Sequence, residues 1–253
     1  MTTPGEERPP VVLVTGASGS IGAATVACLR DRGCEVVTAD RTPLPADVAG
    51  RGATQVTVDL TADADVETAF DRIPVVGPLR HVVAVAGGGD TEELTSPDQP
   101  TEPLEVFSRA VANNLHIAFI TVRNAVPLLR RSGGDRSISL VGSINAYGGY
   151  GAPGYSAAKA GLTGLTRALA APLGADGIRI NCVALGTVDT ANLHRLAAER
   201  GRELDLAAVA ARTPLGRVLA PQEVALALVS VALDWPGLTG STIVLDNGQT
   251  LIR

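Results

Sequence analysis

Tyr155 and Lys159 lie four residues apart in a run whose apolar positions, Ala158, Leu162, Leu165 and Leu169, follow a helical period. On a helix this spacing sets a phenol and an ammonium one turn apart on the same face. A phenol with a pKa near ~10 is a poor base at neutral pH, but a neighbouring cation favours the phenolate and lowers that value. A tyrosine tuned in this way can exchange a proton with a substrate hydroxyl. The same spacing also describes a plain surface pair, and composition bears on the choice. Lys159 is the only lysine; all other basic side chains in the count of 21 are arginine. Lysine is a compact point charge with three donors, so a lone lysine points to a site that needs that shape.

Several elements must position this pair. Val11 to Val14 is a β-branched run, followed by Gly16, Ser18, Gly19, Ser20, Ile21 and Gly22 and by an alanine-rich helix ending near Gly33. In this strand, glycine turn and helix, the glycines let a pyrophosphate approach the backbone while the helix N-terminal amides supply donors. A second apolar run, Cys34 to Ala39, ends at Asp40. A carboxylate there accepts hydrogen bonds from a ribose diol and repels a 2′-phosphate, which favours NAD. Arg41 could instead pair with that phosphate, leaving NADP as the minority reading. Asp40 also suits a turn that closes its strand.

Between Arg41 and Ala53, two prolines and two glycines leave room only for a short or irregular connection. Gln55 to Val58 reads as a third strand. Asp59 and Leu60 follow, with Asp59 either meeting an adenine edge or capping a helix over Ala62 to Ile73. His81 to Ala86 is a fourth strand, and Ala86, Gly87 and Gly88 allow backbone to pass close to a cofactor. A surface loop runs from Asp90 to Pro103. A helical pattern then extends from Leu104 to Arg131, bent near Pro127; Asn113 and Asn114 inside it are unfavourable there and invite a functional reason.

Ser137 to Gly142 is a fifth strand with Ser143 at its end, where α/β sheets place ligands. Asn145, Tyr147 and Tyr150 follow closely and are candidates for lining a substrate pocket together with Ser143 and Tyr155. Arg179 to Ala184 is a sixth strand, left by Gly186, Val188 and Thr190 and then by a charged helical segment, a lid at about 190–213. Pro221 to Leu233 is the last helix and Ile243 to Asp246 a seventh strand. The pattern predicts an α/β fold, a doubly wound, Rossmann-like three-layer sandwich with a seven-stranded parallel sheet. It forms a single domain over 11–253 after a flexible tail at 1–10.

A 253-residue chain with 45% hydrophobic content can bury one large core. A net charge of -5 without basic runs argues against nucleic acid or an anionic membrane as partner. Cys28, Cys34 and Cys182 lack the spacing of a metal or redox pair and read as reduced packing residues, and no metal site is expected. The polar N-terminus is no signal peptide, and no apolar run approaches the ~18 residues of a membrane span. The expected location is cytoplasmic.

Taken together, from Val11 to about Gly248, the chain resembles the short-chain dehydrogenase/reductase family. The resemblance rests on the glycine turn from Thr15 to Gly22, Asn114 in the fourth main helix, Ser143 ending the fifth strand, and Tyr155 with Lys159. Later signposts are Arg179-Ile180-Asn181, Gly186 to Thr190, Pro214-Leu215-Gly216-Arg217 and Thr239-Gly240. It implies hydride transfer between a nicotinamide cofactor and a small-molecule secondary alcohol or ketone, with Tyr155 as general acid/base. Lys159 would hold the nicotinamide ribose, Ser143 the substrate oxygen, and Asn114 a water leading from Lys159 to solvent. Val188 and Thr190 would lie beside the carboxamide. It also implies a homotetramer, or a homodimer, with the Leu104 and Tyr155 helices at an interface. A silent cofactor-sensing protein and an isomerase or dehydratase that uses the cofactor transiently are the alternatives. Three departures stand out: Ser20 replaces a usual glycine, Ala84-Val85-Ala86-Gly87 lacks the usual side-chain amides, and Leu185 replaces a proline.

Overall fold

The structure is a computed structural model, and it describes residues 9–44, 46–49, 53–73, 76–89, 102–148, 151–201 and 203–251. Seven strands form one parallel sheet: β1 (Val11–Thr15), β2 (Glu35–Asp40), β3 (Thr54–Thr57), β4 (Leu79–Ala84), β5 (Arg136–Ser143), β6 (Ile178–Leu185) and β7 (Thr242–Leu245). Their order is β3-β2-β1-β4-β5-β6-β7. The winding reverses between β1 and β4, so the carboxyl ends of those strands open a crevice where such sheets bind ligands.

The helices are α1 (Ser20–Asp31), α2 (Ala46–Ala49), α3 (Asp63–Phe70), α4 (Leu104–Val111), α5 (Ile117–Arg130), α6 (Pro153–Ala175), α7 (Ala191–Glu199), α8 (Leu206–Ala210) and α9 (Pro221–Leu233). Because side chains alternate along a strand, β1 sends Val11 and Leu13 to one face and Val12 and Val14 to the other. The first face packs against Val66 and Phe70 of α3, Ile120 and Leu129 of α5, and Leu162 of α6. The second packs against Val26 and Leu29 of α1 and Val224 and Leu228 of α9. Two apolar layers thus clamp the sheet, which is the expected three-layer sandwich.

Buried Arg179 joins the lower rim. It forks onto Asp135 at 3.0 and 2.7 Å and donates to the carbonyls of Val231 and Ala232 at the end of α9. A cation there meets both the acceptors and the negative dipole end of that helix. Neighbouring Asn181 donates to Leu238 O and accepts from Ser241 N, which accounts for the Arg-Ile-Asn signpost.

Strand edges differ from the sequence reading by one or two residues, and three corrections are larger. The Leu104 pattern is not one α-helix: residues Ala112–His116 form a π turn between α4 and α5. The expected lid helix is two, because Gly201 takes φ +61° and ends α7, while Asp205 accepts Ala208 N to start α8. Asp59 does not cap a helix: α3 starts from Ala62, and Asp59 instead accepts the amide and hydroxyl of Thr61 in a local turn. Pro172 leaves α6 intact to Ala175. Residues 1–8 of the expected tail, residues 90–101 of the surface loop, and Tyr150 lie outside the described residues.

Candidate active site

The glycine turn joins β1 to α1. Gly16 takes φ +68°, and a Cβ there would stand 2.6 Å from Ala86 Cα, so the turn presses on the segment after β4. A Cβ at Gly22 would lie 2.1 Å from Gly16 O, so that position is equally closed. At Gly19 the nearest atom would be 3.6 Å away, leaving the middle of the turn open to an approaching group. The first amides of α1, at Ser20 and Ile21, have no acceptor within the helix and form a cradle for an anion. These residues fit a nicotinamide dinucleotide.

At the end of β2, Asp40 faces this turn. Its Oδ2 accepts the Ser18 amide at 3.0 Å and the Ser18 hydroxyl at 2.6 Å, and its Oδ1 accepts Thr42 N at 3.2 Å. Burial pushes the carboxyl upward, but the Ser18 and Thr42 donors outweigh it and hold its pKa below the ordinary value. Asp40 therefore both closes its strand and remains an ionised acceptor beside the turn. Arg41 is exposed next to it and lies close enough to Asp59 to help lower that carboxyl, behind the bonds from Thr61. Leu60 is buried in the core.

After β4, Ala86 to Gly88 run past the turn. Asn114, 1% exposed, stands in the π turn and grips Gly88 from both sides: its Oδ1 accepts Gly88 N and its Nδ2 donates to Gly88 O, each at 3.0 Å. The same Nδ2 reaches Ala110 O at 3.0 Å. A π turn is a costly irregularity, and here it aims the asparagine at the segment that follows β4.

Ser143 ends β5. Its hydroxyl donates to Asn145 Oδ1 and accepts Asn145 N, both at 3.2 Å. A Cβ at Gly151 would collide with Asn145 Nδ2, so the amide is packed against that turn, whereas Tyr147 is 51% exposed. Tyr155 lies in the first turn of α6, which opens with Pro153. Lys159, 4% exposed, places Nζ over the Tyr155 ring, 5.4 Å from its centroid, and donates to Val141 O at 3.0 Å. Cys182 nearby is pushed up to about 11 by burial, with Lys159 pulling the other way, so it is a packed thiol and no nucleophile.

From β6, Gly186 to Thr190 cross the top of the sheet. Leu219 N donates to Thr187 O at 3.0 Å, Val188 is buried, and the Thr190 hydroxyl accepts Leu193 N to start α7. The start of α7 touches the glycine turn: Ala191 N donates to Ser20 Oγ at 3.1 Å.

Three side chains escaped the sequence reading. Thr42 shares Asp40 with Ser18, Gln249 accepts from Thr187, and Glu102, 8% exposed, accepts the Gly154 amide beside Tyr155 while its other oxygen has no partner. Each acts across a long stretch of sequence or through backbone, which leaves no motif; only the Asp-x-Thr turn was there to be found.

A family model described as enoyl-(acyl carrier protein) reductase matches residues 16–250. The chain is 33% identical over 252 residues to a cis-4-hydroxycyclohexanecarboxylate dehydrogenase of Sinomonas cyclohexanicum, covering 96% of this chain and 97% of that one. The chain belongs to the short-chain dehydrogenase/reductase family. An L-rhamnose 1-dehydrogenase (NAD(P)(+)) of a Sphingomonas species is also 33% identical, across 94% of this chain and 95% of its own. In fold, the ligand-free aldohexose dehydrogenase of Thermoplasma acidophilum superposes with a TM-score of 0.86 at 24% identity, over 97% and 96% of the two chains.

As a short-chain dehydrogenase/reductase, the protein is a nicotinamide-dependent oxidoreductase that transfers hydride to or from an alcohol or carbonyl group, with tyrosine as the family's acid/base. Its departures from the family pattern have structural counterparts. The Ser20 hydroxyl receives α7, the segment after β4 is bonded to Thr15, whose carbonyl accepts Val85 N and whose hydroxyl accepts Ala86 N, and Leu185 extends β6 alongside Leu245. Among the described residues no helix is long and apolar enough to cross a membrane, and no cluster could hold a metal ion.

Proposed function

We propose that this enzyme is an NAD-preferring dehydrogenase or reductase of secondary alcohols and ketones. The observation that carries the reading is the buried Lys159 ammonium over the Tyr155 ring on α6. Tyr155 takes the hydroxyl proton in oxidation and returns it in reduction. Lys159 favours the ionised phenol by charge and binds the nicotinamide ribose. Ser143 donates to the substrate oxygen where charge develops, which requires its hydroxyl to swing from Asn145. Asn145 and Tyr147 line the substrate side, and Asn114 supports the water that leads from Lys159 to solvent. When bound, the cofactor supplies or takes up the hydride.

Gly16, Ser18, Gly19, Ser20, Ile21 and Gly22 hold the pyrophosphate, and Asp40 the adenosine ribose. Arg41, Asp59 and Leu60 border the adenine, with Ala86, Gly87 and Gly88 below, and Gly186, Val188 and Thr190 border the nicotinamide. The α7–α8 segment is the lid. Relatives that act on a cyclic hydroxy acid and on a deoxy sugar support a small polar alcohol as substrate. Two separate exposed apolar sets, Leu104, Phe107 and Phe119 on α4 and α5, and Leu226, Trp235 and Val244 near β7, support a homotetramer. Light scattering that gives a monomer would remove that part. A cytoplasmic location completes the reading.

The test is a parallel titration with NADH and NADPH of the wild type and of Asp40→Ala. Tighter NADH binding that weakens on loss of Asp40 supports the assignment. Tighter NADPH binding would give the site to Arg41 instead.

A further inference from the structure

The loop that leaves β6 is held from a place the reaction chemistry does not explain. Thr187 sends its backbone N–H to Gln249 Oε1 at 3.1 Å and its hydroxyl to the same oxygen at 3.3 Å. Gln249 sits in the short 3-10 turn Gln249–Leu251 that follows β7. That turn is tied before it meets the loop: Asp246 accepts Gly248 N with one carboxylate oxygen and the amide and hydroxyl of Thr250 with the other, all at 2.8 Å. Asn247, at φ +54°, donates to Arg217 O and fixes the turn to the segment after α8. The turn also presses directly on Gly186, where a Cβ would lie 2.7 Å from Asp246 Cα.

On its other flank the loop is bonded to Leu219, through Thr187 O and Asp189 N. One amide oxygen therefore takes both the backbone and the hydroxyl donor of Thr187 at the centre of this loop. A donor pair that converges on a single preformed acceptor resists the small displacement that would misplace a bound ring.

We infer that Gln249 is a positioning residue for the nicotinamide end of the cofactor, acting through Thr187. The inference rests on the reading of Gly186 to Thr190 as the nicotinamide loop. Gln249 does not touch the reacting atoms; it fixes the loop that does, and the residues assigned to the pyrophosphate and the adenosine ribose, Gly16 to Gly22 and Asp40, lie on other elements.

The experiment is a binding titration of the wild type, Gln249→Ala, Gln249→Glu and Thr187→Val. The probes are the reduced cofactor the wild type prefers and the matching fragment without nicotinamide, ADP-ribose or its 2′-phosphate. Gln249→Ala is expected to raise the Kd of the reduced cofactor roughly five- to tenfold while the fragment stays within about twofold. Gln249→Glu, which keeps an acceptor oxygen, should recover most of the loss, and Thr187→Val, which removes only the hydroxyl donor, should show a smaller version of the same split. Equal weakening of cofactor and fragment, or no weakening in either alanine or valine variant, overturns the inference while leaving the cofactor site in place. A wild type that binds the fragment as tightly as the whole cofactor overturns the loop reading itself, and the inference with it.

Discussion

Lys159 Nζ lies over the ring of Tyr155, 5.4 Å from its centroid, and donates to the carbonyl of Val141 on the adjacent strand. Helical spacing alone would put the two on one face; burial is what makes the ammonium specific. A guanidinium is planar and larger, and it does not reproduce the compact point charge that Lys159 buries beside the ring. Lys159→Arg is therefore expected to lower kcat by roughly 10²–10⁴, the range of a lost acid/base contribution. Steady-state kinetics at saturating cofactor checks it, and near-normal turnover would contradict it.

Ser18 holds Asp40 through both its amide and its hydroxyl. The carboxyl is depressed although burial opposes this, so its contribution to stability is present above about 3.9 and is lost as the pH falls through the lower folded value. Ser18→Ala removes the hydroxyl and leaves the amide. The Asp40 carboxyl should then titrate higher, which carbon-13 NMR of the side chain reads directly; an unchanged titration would mean the hydroxyl contributes nothing.

His81 is buried on β4, with Nδ1 2.9 Å from the Ser137 hydroxyl. Burial lowers its pKa to about 4; Asp135 pulls upward, while Arg80 and Arg179 add to the lowering. The folded value is below the unfolded one, so the neutral ring stabilises the fold fully above about 6.5, and that stability is lost as the pH falls towards 4. The slope approaches about 1.4 kcal/mol per pH unit. Denaturant unfolding from pH 7 to pH 5 should show this extra loss in the wild type and not in His81→Leu.

Asn114 joins the π turn to Gly88 through two bonds and to Ala110 through a third. Asn114→Ala leaves both polar groups of Gly88 without these partners, at a cost of about 2–4 kcal/mol. Faster amide exchange at Gly88 is the local signature, and Asn114→Asp, which keeps only an acceptor, should fall between the two. Unchanged exchange would show that the grip on Gly88 is not what the asparagine does.

The sheet was readable because its strands are buried on both faces and so appear as continuous runs such as Val11-Val12-Leu13-Val14. Caps and breakers placed the helices, with α9 running from Pro221 to Leu233 as its sequence indicates. The π turn at Ala112–His116 was hidden because it keeps the apolar period while shifting the backbone bonds. Asparagine at 114 signalled that something was unusual there without giving its form. The break between α7 and α8 follows from a left-handed Gly201, one glycine among 28. The link from Gln249 to Thr187 spans 62 residues and ends on a backbone amide, so neither spacing nor residue type announces it.

The most direct test of the catalytic reading is turnover by Tyr155→Phe, measured as reduction of NAD or NADP with a panel of secondary alcohols and sugars on which the wild type is active. The phenylalanine keeps the ring under Lys159 and removes only the oxygen. The account predicts loss of turnover to background with the Kd for reduced cofactor within about twofold of wild type. Undiminished turnover with intact binding would contradict it and remove Tyr155 from the chemistry.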